Sequence, residues 1–358
     1  MDPEPVMAVL LPGIHASQLV LVCLGLATGV ISGFVGVGGG IIVTPALVIL
    51  GMPAHYAVGT GMVWVMGNAV AGTLRHRYEG NGDFKLAVVM AVFTVAGTEL
   101  GVLLINFGQQ RGMADKAVLS LSCVVLVLVG GYMFWQIIRS KSIAAGSSGV
   151  PITRTKLSAR LAAVSLPSVI FFRKSGIRAA LVFPAVIRLL AGILSGFIGV
   201  GGGFLTVPAM LYLLGVPPCT AVGTSLSQMV FTAGFGSIRH ITSGNVLIFV
   251  CLLMLLGSSL GVQIGALATR YLTGSCMMFV LESTILISVI RSVFKLAGIT
   301  ATSPSGWMDV ATQLVTFGGL ALIVSMLLGL LVGRAYCRRC GCSNALTRYL
   351  YQDIEHSR

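Results

Sequence analysis

Eleven apolar runs follow one another along the 358-residue chain, at about 17–36, 41–51, 56–74, 84–107, 116–138, 180–200, 204–215, 220–238, 246–269, 275–295 and 310–333. One helical crossing of a bilayer needs ~20 such residues, and lipid tolerates only structures that pair their backbone amides internally. The pattern predicts an all-α polytopic membrane protein. Composition agrees, with 56% hydrophobic and 9% charged residues against the ~25% charged residues of soluble domains. This balance excludes a water-soluble enzyme and a disordered chain. Eight cysteines in 358 residues are too sparse for a disulfide-stapled secreted domain.

Two runs are too short to cross. Residues 41–51 and 204–215 reach about half the bilayer at ~1.5 Å per residue, and each directly follows a glycine cluster. The clusters are copies. Gly33-Phe34-Val35-Gly36-Val37-Gly38-Gly39-Gly40 returns 163 residues later as Gly196-Phe197-Ile198-Gly199-Val200-Gly201-Gly202-Gly203, seven of eight positions being identical. Pro45 answers Pro208; after a one-residue insertion Gly51-Met52-Pro53 answers Gly215-Val216-Pro217, and Ala57-Val58-Gly59-Thr60 answers Ala221-Val222-Gly223-Thr224. Arg75-His76 answers Arg239-His240, and Gly97 with Leu100-Gly101 is aligned with Gly257 and Leu260-Gly261. An ordered series of this length marks two homologous halves.

Charge orders the segments. The net +13 sits in connecting stretches without the stacking aromatics of a nucleic-acid face, so it reads as a topology signal, Lys and Arg being retained on the cytoplasmic side. The expected organisation is an N-terminal segment 1–16, a first membrane repeat 17–138, a basic cytoplasmic connection 139–179, a second membrane repeat 180–333 and a basic Cys-containing tail 334–358. Residues 1–17 carry Asp2 and Glu4 but no Lys or Arg, unlike the basic start of a signal peptide. If every run crosses, the loop with Arg75, Arg77 and Lys85 is cytoplasmic, its counterpart at 239–245 is external, and the repeats are inverted. Re-entry of the glycine hairpins would lower the count, so the span number lies between 8 and 11 and the orientation stays open.

The glycine clusters are the first candidate site. Unpaired backbone at membrane depth survives only where protein buries it or where it lines a cavity. A helix that restarts there offers free amides and a positive dipole end, which attract anions. The substrate-binding candidates are therefore Gly36, Gly38, Gly39 and Gly40 with Gly199, Gly201, Gly202 and Gly203. The competing explanation is close helix packing through small residues. Neither cluster is a nucleotide loop, since both lack the lysine of G-x-x-x-x-G-K-[ST] and the spacing of G-x-G-x-x-G. Thr60 and Thr224, matched by the repeat, are candidate hydroxyl donors, with Ser225 beside them. Such hydroxyls equally bond carbonyls of their own helix.

Glu99 and Glu282 lie inside apolar runs. Acids at such depth are costly and are candidates for proton coupling; an interhelical hydrogen bond is the plainer role. Arg75-His76 and Arg239-His240 fit helix-end anchors, or more weakly gate charges for an anion. Cys337, Cys340 and Cys342 with distant His356 do not make a four-ligand zinc site, so no metal and no cofactor is expected. An intramembrane hydrolase using Ser32 or Ser195 needs a base within reach, and the histidines stand at segment ends. A passive anion channel remains the nearer alternative.

The doubled G-F-[VI]-G-V-G-G-G, with its proline five residues on and then G-x-P and A-V-G-T, resembles the TauE/SafE sulfite-exporter family of membrane permeases. The resemblance covers about 20–135 and 185–335 and implies a secondary transporter, not an enzyme, exporting a small inorganic or organic sulfur anion such as sulfite or an organosulfonate. It implies a multi-pass protein of the bacterial inner membrane whose partners are that anion and the lipid bilayer, with a homo-oligomer left open. The connection 139–179 and the cysteine tail depart from the compact family pattern.

Overall fold

A computed structural model describes residues 18–111, 118–135 apart from 119, 122 and 134, 169–180 apart from 173, 174 and 176, 182–272, 274–300 and 310–340 apart from 311. The N-terminal segment 1–16, residues 139–168 of the connection and the tail from residue 341, including Cys342 and His356, lie outside the described residues.

The first set of helices is α1 (Gln18–Val35), α2 (Gly40–Ile49), α3 (Ala54–Tyr78) and α4 (Phe84–Gln110), followed by α5 (Cys123–Met133). A second set repeats the order as α6 (Val182–Ile198), α7 (Gly203–Tyr212), α8 (Pro218–Thr242), α9 (Ile248–Tyr271) and α10 (Gly274–Thr300). A π-helical turn at Leu314–Gly318 leads into α11 (Gly319–Cys340). Among the described residues five helices are long and apolar enough to cross a membrane, whereas α2 and α7 have 10 residues each. Large side chains such as Leu74, Val92, Leu128, Leu256 and Leu322 face outward, as a lipid-facing surface requires.

The structure adds a small hairpin within the expected connection. Strands β1 (Val169–Phe172) and β2 (Ile177–Ala180) pair antiparallel. At its turn the Ser175 hydroxyl and amide donate to Asp83 Oδ2 at 3.0 and 3.3 Å. Asp83 Oδ1 also accepts the Leu86 amide, 3.2 Å away, and so caps α4. The hairpin is thus pinned at the same end of the bundle as the loop after Arg75 and Arg77.

The two sets interlock. α1 packs along α9, and α6 along α4. These seams are close because they are built from small residues: a Cβ at Gly265 would stand 2.0 Å from the Val30 carbonyl oxygen, and one at Gly101 2.2 Å from that of Ile193. Contacts along both seams rise together in residue number, so each pair is parallel. α3 and α8 behave oppositely, Gly72 meeting Leu226 while Gly236 meets Met62. These matched helices run antiparallel, which sets the loops 79–83 and 243–247 at opposite ends of the pair.

The seams also correct one alignment. Gly97 faces the Leu189 carbonyl and Ile193 amide, whereas Gly261 faces the Leu26 carbonyl and Val30 amide. Leu189 and Ile193 are the repeat counterparts of Leu26 and Val30, so Gly97 answers Gly261 rather than Gly257, and Gly101 answers Gly265. Glu99 then stands opposite Gln263. A shift of four residues is little more than one helical turn, so both registers place glycines on nearly the same face.

Candidate functional site

Two helix breaks form the centre. α1 ends at Val35, and Gly36, Gly38 and Gly39 take φ of +78°, +77° and +71° before α2 begins; Gly199, Gly201 and Gly202 take +77°, +75° and +75° before α7. Only glycine adopts this left-handed region without strain. The breaks touch: a Cβ at Gly40 would lie 2.7 Å from Val200 Cα, and one at Gly203 2.7 Å from the Val37 oxygen. Both face the midpoint of the α3–α8 pair, where a Cβ at Gly38 or Gly201 would meet the same two side chains, Val65 and Met229. The expected helix breaks are thus in place, brought together about halfway along α3 and α8.

Among the described residues, the amides of residues 37–41 and 200–204 make no hydrogen bond of good geometry with a protein acceptor. The next amides turn inward: Ile42 and Val43 bond to Gly39 O, Leu205 and Thr206 to Gly202 O. Each break therefore carries a run of free donors at the positive end of a half-helix.

The predicted hydroxyls hold the frame. Thr60 Oγ1 accepts the Leu247 amide (3.0 Å) at the start of α9, and Thr224 Oγ1 accepts the Asp83 amide (2.8 Å) at the start of α4. Each threonine caps a helix of the other set. Ser225 donates to Gly36 O at 2.8 Å, and Thr44, which the sequence reading missed, donates to Gly199 O at 3.2 Å. His76 bonds Gly33 O at 2.9 Å, and His240 lies beside the matching Gly196 carbonyl.

The predicted acids are away from the breaks. Glu99 is gripped side-on by Arg239, whose Nε and Nη2 donate to its two oxygens at 2.8 and 2.7 Å, both side chains being partly exposed. Glu282 is half-buried on α10. Ser32 Oγ accepts from Asn68 Nδ2 at 2.5 Å, and that amide also reaches Gly38 O at 3.4 Å. Ser195 Oγ and both His240 ring nitrogens have no hydrogen-bond partner, so they do not form a nucleophile–base pair.

One charge was not singled out from the sequence. Arg188 on α6 is completely buried, as are Thr206, Gln228 and Thr232 around it. Its Nη1 donates to Thr206 Oγ1 in the first turn of α7 and to Gln228 Oε1 at 2.6 Å. The Thr206 hydroxyl in turn donates a hydrogen bond to Gly202 O at 2.9 Å, joining Arg188 to the second break. Gln228 is held in turn by donating to Thr232. The signal was available: an arginine inside an apolar run whose repeat counterpart is Gly25.

A bundle of spanning helices with two half-helices meeting at mid-depth is the architecture of a multi-pass membrane permease. Comparison with known proteins agrees. The profile described as sulfite exporter TauE/SafE matches residues 21–291 and, in a second overlapping match, 184–335. The chain belongs to this family. It is 24% identical over 288 residues to the probable membrane transporter protein YunE of Bacillus subtilis, covering 78% of this chain and 98% of that one. It is also 30% identical over 214 residues to a probable membrane transporter protein of Xylella fastidiosa, covering 59% of this chain and 69% of the relative. No solved structure matches. The protein is a multi-pass membrane transporter, and these bacterial relatives agree with an inner-membrane location.

Proposed function

We propose that this permease exports a small sulfur-containing anion, sulfite or an organosulfonate, by alternating access of two inverted repeats about the paired breaks. One observation carries the reading: matched helices α3 and α8 cross antiparallel, and where they cross two half-helix starts meet with free amides. Inverted repeats around midplane discontinuous helices are how many secondary carriers hold a substrate while one half rocks against the other. The family description supports the sulfur anion. The repeats are residues 17–138 and 180–333. The connection 139–179 and tail 334–358 lie in the cytoplasm, with the Asp83–Ser175 contact supporting the side assigned to the connection.

In this proposal the anion exchanges its water for the amides of Gly38, Gly39 and Gly40 and of Gly201, Gly202 and Gly203, with Gly36 and Gly199 shaping the turns. Thr60 and Thr224 each accept an amide proton and keep their own hydroxyl proton for the anion, while Ser225 steadies Gly36. Glu282 and Glu99 are the candidates for proton coupling. An inside-negative potential favours anion export by ~2.3 kcal/mol per charge per 100 mV, a driving force that adds to any supplied by protons at these acids.

The test is binding of sulfite, thiosulfate, methanesulfonate, sulfate and phosphate to the purified protein. Saturable binding of a sulfur anion is expected, weakened in Gly38→Ala and Gly201→Ala. Unchanged affinity in both variants would overturn the half-helix site, and no binding of any sulfur anion would overturn the substrate class.

A further inference from the structure

We propose that Arg188 is the charge partner of the transported anion, making the site one-sided and selective for a monoanion with an oxygen-bearing head. This rests on the reading of the breaks as an anion site and names the residue that binds there.

The free edge of the guanidinium carries the argument. Arg239 shows how this molecule grips an acid, with Nε and Nη2 side by side on the two oxygens of Glu99. On Arg188 the same edge faces no oxygen: Nε has no partner, and Nη2 meets only Met90 Sδ at 3.6 Å. The other edge is fully used by Thr206 and Gln228, which fix the guanidinium beside the start of α7. No carboxylate pairs with Arg188 among the described residues. A buried charge left without a counter-ion costs several kcal/mol, and intramembrane charges of this kind mark ion pathways. An oxyanion on the free edge supplies the counter-ion, taking two parallel hydrogen bonds of the strongest class. Met90, flexible and unbranched, is the side chain it displaces.

Charge counting gives the class. One cation neutralises one negative charge, so hydrogen sulfite or a sulfonate leaves the site neutral, whereas sulfate or another dianion leaves a charge at membrane depth. The matched positions in the first set are Gly25 for Arg188, Val43 for Thr206 and Trp64 for Gln228. They hold no charge, so of the two matched positions only the second set's carries a cation.

The experiment compares methanesulfonate and sulfate binding to the purified protein and to Arg188→Gln, Arg188→Lys and Gln228→Glu. Gln228→Glu is the decisive variant because it sets a carboxylate where the Gln228 oxygen already meets Arg188, giving the cation an internal partner and preserving the packing. Methanesulfonate is expected to bind at least about tenfold tighter than sulfate. Its affinity should fall about 100-fold in Arg188→Gln and Gln228→Glu, with partial rescue in Arg188→Lys. Gln228→Glu should elute as monodisperse protein with thermal stability equal to or above that of the unaltered protein. Methanesulfonate affinity within twofold of the unaltered protein in a folded Gln228→Glu or Arg188→Gln would overturn the role of Arg188. Equal binding of sulfate would overturn monoanion selection. If the unaltered protein binds neither these anions nor sulfite, the parent reading of an anion site fails first.

Discussion

At the second break Thr206 bonds the Gly202 carbonyl and is itself bonded by Arg188, which also holds Gln228, while at the first the same three positions carry Gly25, Val43 and Trp64. Trp64 is fully buried, and its ring edge lies 2.6 Å from where a Cβ of Gly39 would stand. Asn68 steadies the first break through Ser32 and Gly38 O, whereas its counterpart Thr232 is engaged with Gln228. Against these differences stand close agreements. The left-handed glycines match within a few degrees, Thr60 and Thr224 cap matched helices, and Gly59 and Gly223 press on the matched carbonyls of Asn245 and Asn81. What the two sets share builds the frame, and what they do not share supplies charge. An inverted frame needs both sets to deform alike, but a single anion needs one cation.

The frame half of this comparison breaks most visibly at Gly36 and Gly199. Alanine at either must hold a φ near +78° with its Cβ 2.7 Å from Val222 or Val58 backbone. Strain and overpacking together should cost about 3 kcal/mol or more in each case. Thermal unfolding of the detergent-purified variants should show similar losses, and proteoliposome transport should vanish in both. A large loss in one and a small loss in the other would mean that the breaks are not equivalent supports. The next effect belongs to the caps. Thr60→Val and Thr224→Val each strand one helix-start amide, a cost of about 1–2 kcal/mol. Equal shifts in melting temperature are expected.

The frame was largely legible in the sequence, because it is written in hydropathy and glycine. Runs of the right length announced the helices, and two short runs behind doubled glycines announced the breaks. The charge was not, for a physical reason. Arg188 sits near the start of an apolar run, where an arginine can equally snorkel to the interface. Only the packing of α6 against α4 and α8 shows that it points inward to Gln228. The slipped match of Gly97 had a related cause, since small residues four apart occupy nearly one face. The hairpin at 169–180 went unseen because it lies at the end of a stretch read for its basic charge.

The asymmetric half of the comparison is sharpened at Trp64. Its Nε1 is buried without a partner, so Trp64→Phe removes an unpaired donor along with some packing. The two effects oppose each other, leaving a net cost of about 1 kcal/mol. Methanesulfonate affinity should stay within about twofold of the unaltered protein, because this side bears no part of the charge. A loss comparable to that of the Arg188 variants would make the first set an equal contributor to binding.

The smallest effect is expected where the asymmetry lies nearest the surface. Arg239 holds Glu99, but the matched Arg75 turns to Glu79, the residue that ends its own helix, at 3.0 Å, and Gln263 replaces the acid. The Glu99–Arg239 side chains are 33% and 39% exposed, and Arg239 stands in the last turn of α8; for such a half-open pair at a helix end, Glu99→Gln should lower stability by less than about 1 kcal/mol. This small stability effect makes the variant informative about transport. If Glu99 only ties α4 to α8, export measured across a pH series keeps its profile and rate in Glu99→Gln. If the carboxylate carries protons, the pH dependence flattens while the melting temperature barely moves. That separation would place coupling on an ion pair the first set lacks, so that charge compensation and proton handling would both reside in the features by which the two sets differ.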